Sequence, residues 1–277
     1  MAISASEVKK LKDLTNAGMM DCKKALEETN GDVDKALKIL KEKGLADAKK
    51  RSDRETKEGG VYIKQSGNGI ALCLLSCETD FVSGNEVFKK AKDKILDGIL
   101  SNKKDFHDSF NDYVQEVISQ TKENVGLKVS KYIEIKDNQY AATYIHGTNR
   151  IGVISVFELD NPSVKGNAEL KEMADNICLH ITASAPFYIS QNEVPQNEID
   201  EQKDIFTKQM ADSGKKPEIV ENIVKGKIQK HFSEICLLDQ KYVKDDKVSV
   251  GEYIESIGKK IGSKIKVISF IRHMVGA

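Results

Sequence analysis

Nothing in this sequence draws the chain toward a membrane or a polyanion. Its 43 Lys and Arg balance 43 Asp and Glu, for a formal net charge of +0. A chain without surplus charge has no general electrostatic reason to coat itself with nucleic acid, although a local basic patch stays open. The longest apolar run, Ile70 to Leu75, is far shorter than the roughly 20 residues a bilayer demands. The stretch MAISASEVKKLKDL at the start carries no apolar signal core. There are 5 cysteines and no CxxC pair, which together with the missing signal points to a reducing, cytoplasmic setting. Cys73 and Cys77 have no histidine near them in sequence and read as two core thiols rather than a metal site.

Catalytic signatures are missing as well. There is no HExxH and no GxSxG. The nearest approach to a phosphate loop, GEYIESIGKK, has six residues between its glycines instead of four, and no Ser or Thr after the first lysine. The 5 histidines are scattered. His146 follows Tyr144-Ile145 in a hairpin turn and His180 lies on a helix flank; spacing alone gives neither a role. No enzymatic activity, no cofactor and no metal site are expected.

What remains is a globular composition, 39% hydrophobic and 31% charged, in 277 residues, enough for more than one domain. Residues 4 to 44 read as three short helices. Ser4 and Glu7 form a capping box, and Val8, Leu11 and Leu14 mark one face. Cys22, Ala25, Leu26 and Thr29 mark a second helix, stopped by Asn30-Gly31. Asp32 caps a third, with Val33, Ala36, Leu37 and Leu40 inside and Gly44 as its stop. The loop NAGMM joins the first two; Met19 and Met20 suit a lid on the small core and a soft partner contact equally. Residues 46–60 have almost no apolar side chain and read as a charged linker or an exposed helical extension. Lys49, Lys50 and Arg51 lie there without an aromatic platform, so a solvated segment is preferred to an RNA contact.

An internal duplication follows. VYIKQSGNGIALCLLS resembles TYIHGTNRIGVISVFE, with Tyr62, Asn68 and Ile70 matching Tyr144, Asn149 and Ile151. Each reads as a β-hairpin followed by a helix, Val87 to Leu100 and Leu170 to Ile181, and LKVSKYIEI and SKIKVISFIRHMV each add a strand. The fold class is α+β, two related halves, each a small antiparallel sheet with helices on one face. Residues 193–238 interrupt the second half as a helical hairpin, with Ile199, Ile205, Phe206 and Met210 facing Ile219, Ile223, Ile228 and Ile235 across the turn DSGKKP. The domains expected are 1–45, a linker 46–60, then 61–138 and 139–277. The hairpin or a sheet edge offers a route to homo-oligomers.

The most informative stretch is CETDFVSGN, residues 77 to 85. It ends an apolar strand and sets a carboxylate, Asp80, beside a large ring, Phe81, before a Gly-Asn turn. Adjacent residues at a strand end diverge, so they do not both enter the core. With NAGMM and YIHG it suggests loops presented to another macromolecule.

Four blocks then carry a resemblance. LTNAGMMDCKKAL (Leu14 to Leu26), CETDFVSGN, HGTNRIGV and LHITASAP occur in order and resemble signatures of bacterial elongation factor Ts. The resemblance implies an amino-terminal three-helix domain like ubiquitin-associated domains, two core subdomains and an inserted helical hairpin. It also implies nucleotide exchange on elongation factor Tu, the GTPase that carries aminoacyl-tRNA. The family's TDFV turn enters that GTPase near its Mg2+-nucleotide site, which assigns Thr79, Asp80, Phe81 and Val82 here. Met19 and Met20 resemble the family's contact with the GTPase, His146 a second-half contact, and His180 a weaker one. Elongation factor Tu is then the partner, with no membrane and no direct nucleic acid contact. Some members continue into a further carboxy-terminal helical module; this chain stops at Ala277, so that module's contacts are not expected. Two rivals are an RNA-binding factor using the basic linker, against which the zero net charge counts, and a ubiquitin-associated-like adaptor, which leaves the TDFV turn unexplained.

Overall fold

The computed structural model describes residues 3–15, 17–210 and 216–276, with the side chains of residues 45–49 outside that description. The chain divides into two compact units: Met1–Glu134 with Gly147–Ile151 and His273–Ala277, and Ile135–His146 with Gly152–Arg272.

The first unit begins with α1 (Ala5–Thr15), α2 (Met19–Glu28) and α3 (Val33–Arg51). The capping box forms: the Glu7 carboxylate accepts from the Ser4 N–H at 2.8 Å, and Ser4 Oγ accepts from the Glu7 N–H at 3.2 Å. Asn30 and Gly31 both take positive φ, at 51° and 89°, and end α2. Asp32 Oδ1 accepts from the Lys35 N–H at 3.0 Å and starts α3. Val8, Leu11, Cys22, Ala25, Leu26, Ala36 and Leu40 make the core. Two expectations fail here. Leu14 points outward, 60% exposed. Gly44 does not stop α3, which runs on to Arg51, so residues 46–51 are helix. A Cβ at Gly44 would stand 3.3 Å from Ser119 Oγ, so the glycine serves a close helix–helix approach rather than a terminus. The side chain of Lys49 lies outside the described residues; Lys50 is exposed and Arg51 half-buried.

Strands β1 (Glu58–Ser66) and β2 (Gly69–Cys77) form the expected hairpin. After the short turn α4 (Asp80–Ser83) come α5 (Glu86–Asn102), α6 (Ser109–Thr121) and β3 (Val125–Glu134), which pairs antiparallel with β2. The sheet order is β1-β2-β3. Every residue of β2 is buried, which explains its unbroken apolar run. Ala71, Cys73, Leu75 and Cys77 pack with Phe88, Ile95 and Ile99 of α5 and with Phe110, Val114 and Val117 of α6.

The second unit repeats the plan. β4 (Gln139–His146) and β5 (Ile151–Leu159) form a hairpin, and α7 (Ala168–Ser184) covers it with Leu170, Met173, Ala174, Ile177, Cys178 and Ile181. The helices α8 (Gln196–Met210) and α9 (Pro217–Ile235) come next, then the ribbon β6 (Lys241–Tyr242) and β7 (Asp245–Ser249), α10 (Val250–Ile261) and β8 (Ile265–Met274). The sheet order is β4-β5-β8. Without α8, α9 and the ribbon, both halves read β-β-α-α-β, counting the main helices. The hairpin therefore sits between two elements of the repeat, as its break in the sequence pattern implied. Pro217 occupies the first turn of α9 as expected, while most of the DSGKKP turn lies outside the described residues. The α8–α9 seam is thinner than read: Ile205 and Ile219 are exposed, and no residue of α8 is buried. Its firm part is the base, where Val194, Phe232, Ile235 and Cys236 cluster with Tyr188, Ile199 and Ile228.

Candidate functional site

The end of β2 determines what the TDFV turn can present. Cys77 closes the strand inside the core, and its thiol donates to the Thr79 carbonyl at 3.1 Å. Burial pushes that thiol up to about 12, so it is a neutral donor at physiological pH. Thr79 is the N-cap of α4, its hydroxyl oxygen accepting from the Val82 N–H. The Gly84 N–H donates to the Asp80 carbonyl at 3.0 Å and the Asn85 N–H to the Val82 carbonyl at 3.0 Å. Asn85 then caps α5, accepting from the Val87 N–H at 3.0 Å. One helical turn is thus fixed between two structured neighbours. Consecutive residues on it diverge by about 100°, so Val82 enters the core while Phe81 stands 85% exposed beside the exposed Asp80.

Side chains distant in sequence support this turn. The Glu123 carboxylate accepts from the Thr79 hydroxyl at 2.6 Å and from the Thr79 N–H at 3.0 Å. Glu78 accepts from the Asn124 N–H at 2.6 Å and pairs with Arg54 at 3.3 Å. The Asn124 amide donates to the carbonyls of Arg54 at 2.7 Å and Ser52 at 3.2 Å. Sequence reading missed Glu123 and Asn124, since no local motif links them to residues 44 and 46 positions earlier.

Met19 and Met20 are not in a loop. Gly18 is the N-cap of α2, and the two methionines form its first turn, 52% and 65% exposed. This removes the reading of a lid on the core. Leu14, on the last turn of α1, flanks the same corner and is also exposed. Asn16 of this segment lies outside the described residues. Three large apolar side chains thus flank one short connection, which a single exposed residue would not make noteworthy.

His146 is the last residue of β4 rather than a turn residue; it is exposed, with Nδ1 3.2 Å from the Tyr144 hydroxyl. His180 is a correction. It is 0% exposed, so it presents no surface to a partner. The Val243 N–H donates to His180 Nδ1 at 3.2 Å, which puts the ring proton on Nε2, 2.9 Å from the Gln240 Oε1 acceptor. Burial holds its pKa below the usual imidazole range. Gln240 in turn donates to the Glu234 carbonyl at 2.8 Å, so His180 helps fix the chain leaving α9. Its helix-flank position carried no sign of burial because its acceptor lies 60 residues on.

Among the described residues no three His, Cys, Asp or Glu side chains converge as a metal-binding set. No helix among them is long and apolar enough to cross a membrane. The arrangement suits contact: one aromatic ring raised on a fixed turn, and an apolar corner on a small bundle.

A family model described as Elongation factor TS matches residues 78–277, which includes the turn from Glu78 onward. The chain is 38% identical to Elongation factor Ts of Treponema denticola, over 100% of this chain and 99% of that protein. It is 39% identical to that of Borrelia recurrentis, over 100% of both. It is 35% identical to that of Lawsonia intracellularis, over 100% of this chain and 99% of that protein. With end-to-end similarity to these translation elongation factors and a family match that takes in the displayed turn, the chain belongs to the elongation factor Ts family.

Proposed function

We propose that this chain is the nucleotide-exchange factor of elongation factor Tu, binding its GDP form in the cytoplasm and promoting GDP release through the TDFV turn. The observation that carries the reading is Phe81, 85% exposed on a turn whose main chain is tied down at both ends. A Mg2+ ion bridging GDP phosphates needs near-ideal octahedral geometry at about 2.0–2.1 Å. A ring wedged beside that site in the partner has to shift its surroundings only slightly to spoil it. Phe81 is the wedge and Asp80 the polar neighbour that meets the displaced segment. Thr79 and Val82 hold the turn, through Glu123 and through the core. Leu14, Met19 and Met20 supply affinity, and His146 supplies a second contact from the other half.

The protein acts by differential binding rather than by bond chemistry. Exchange requires that factor and Mg2+-GDP each weaken the other's hold on the GTPase, a coupling that is reciprocal. A factor that bound both states equally would shift nothing. In this reading residues 1–45 form a ubiquitin-associated-like contact domain and 46–60 its connection. Residues 61–138 and 139–277 are the paired core subdomains, the second carrying the hairpin. The test is release of fluorescent GDP from purified elongation factor Tu. Acceleration by catalytic amounts of this protein is expected; an unchanged rate at saturating protein would refute the proposal.

A further inference from the structure

We propose that Glu123 is a positioning residue for nucleotide exchange, and that with Glu78 and Asn124 it forms a clasp that fixes the direction in which Phe81 projects. The inference rests on the wedge reading of the TDFV turn and assigns the machinery that holds the wedge.

A displayed ring transmits force only if its base resists. The base of α4 has two supports independent of the turn's own hydrogen bonds. One is the Glu123 carboxylate, which takes both donors of Thr79, the hydroxyl at 2.6 Å and the N–H at 3.0 Å. A carboxylate accepting two hydrogen bonds from one residue fixes orientation as well as position. The other is Glu78, immediately before Thr79, whose carboxylate takes the Asn124 N–H at 2.6 Å. Glu123 and Asn124 follow Lys122, which ends α6 in the left-handed conformation at φ 62°. Two adjacent residues of one connection therefore grip two adjacent residues of another by crossed bonds. The Asn124 side chain extends the grip to the Arg54 and Ser52 carbonyls, just past the end of α3. Arg54 closes the circuit on Glu78. None of these residues needs to touch the partner; each acts through the turn. Val82 alone, buried under the turn, anchors a point, whereas the clasp sets an angle.

The test uses the full-length protein and purified elongation factor Tu. Glu123→Ala removes both acceptors, and Glu123→Gln keeps one oxygen in place. At saturating factor, Glu123→Ala should lower the GDP release rate about tenfold, the factor that one charge-assisted hydrogen bond is worth. Its affinity for nucleotide-free elongation factor Tu should stay within about threefold, because the apolar corner of the bundle is untouched. Glu123→Gln should recover part of the rate. In a Phe81→Ala background, Glu123→Ala should have no further effect, since it acts only through the ring. A rate equal to wild type, or a loss that multiplies with that of Phe81→Ala, would overturn the proposal. If Glu123→Ala does not fold, Glu123→Gln, which keeps one acceptor oxygen and leaves the Thr79 cap of α4 intact, carries the same comparison with and without Phe81→Ala. Failure of the wedge reading itself is distinguishable: Phe81→Ala alone would then exchange as wild type.

Discussion

Replacing Met19 and Met20 together with alanine separates affinity from folding. The two side chains are 52% and 65% exposed, so roughly half to two-thirds of their burial is still available to a partner. Complete burial of a methionine is worth about 1.5–3 kcal/mol. Scaled by those exposures, and allowing for the methyl that alanine keeps, the pair should contribute about 1.5–3 kcal/mol to docking, or about 10- to 150-fold in Kd. The fold should not notice. Both residues lie in the first turn of α2 outside the bundle core, and alanine is the better helix former. Calorimetric titration against nucleotide-free elongation factor Tu reads the affinity, and a thermal melt should show Tm within about 2 °C of wild type. Unchanged affinity in a folded double variant would refute the contact. A melt lowered by several degrees would show that the side chains support the bundle instead.

Removing Asp200 to Lys230 and closing the gap with a short glycine linker should leave GDP release intact, because the buried base at Phe232, Ile235 and Tyr188 is kept; complete loss of exchange in a folded variant would make the hairpin part of the contact. His180 is held neutral by burial, so its folded pKa lies below its unfolded value near 6.5. The unfolded chain then binds the extra proton first, and this residue's contribution to stability is intact above about pH 6.5, falls as pH drops below it, and levels off under the folded pKa. Replacing His180 with glutamine should flatten that part of a denaturation profile, and an unchanged slope would count against the assignment. All 5 cysteines are buried, with Cys73, Cys77 and Cys178 pushed up to about 12 and Cys236 to about 11. A thiol reagent at pH 8 should therefore react only after denaturation; fast labelling of native protein would contradict the burial.

Local chemistry was legible in the sequence where it is self-contained. The Ser4–Glu7 box, the Asn30-Gly31 stop, the Asp32 cap and both β-hairpins follow from residues within a few positions of each other. The duplication was legible because two strands repeat one apolar pattern. What failed depended on tertiary neighbours. Gly44 looks like a helix stop until Ser119 is seen beside it. Leu14 fits the inner face by spacing, yet of α1 only Val8 and Leu11 are buried. The helices α6 and α10 were passed over, one after a charged loop and the other inside a stretch weighed as a phosphate loop. At the candidate site the displayed pair was visible as an improbable neighbour couple at a strand end. Its supports were not, because Glu123 and Asn124 meet the turn only through folding.

The central claim is that Phe81 carries coupling to the nucleotide rather than affinity for the partner. Stopped-flow GDP release from elongation factor Tu, at saturating wild-type protein and at saturating Phe81→Ala, across Mg2+ from millimolar down to chelator, tests it most directly. Removing Mg2+ performs part of the wedge's work in advance, so the gap between the two proteins should be widest at millimolar Mg2+ and narrow toward the chelator. A gap that stays constant across the series would contradict disruption of the Mg2+ site as the role of Phe81 and leave the ring as an ordinary contact.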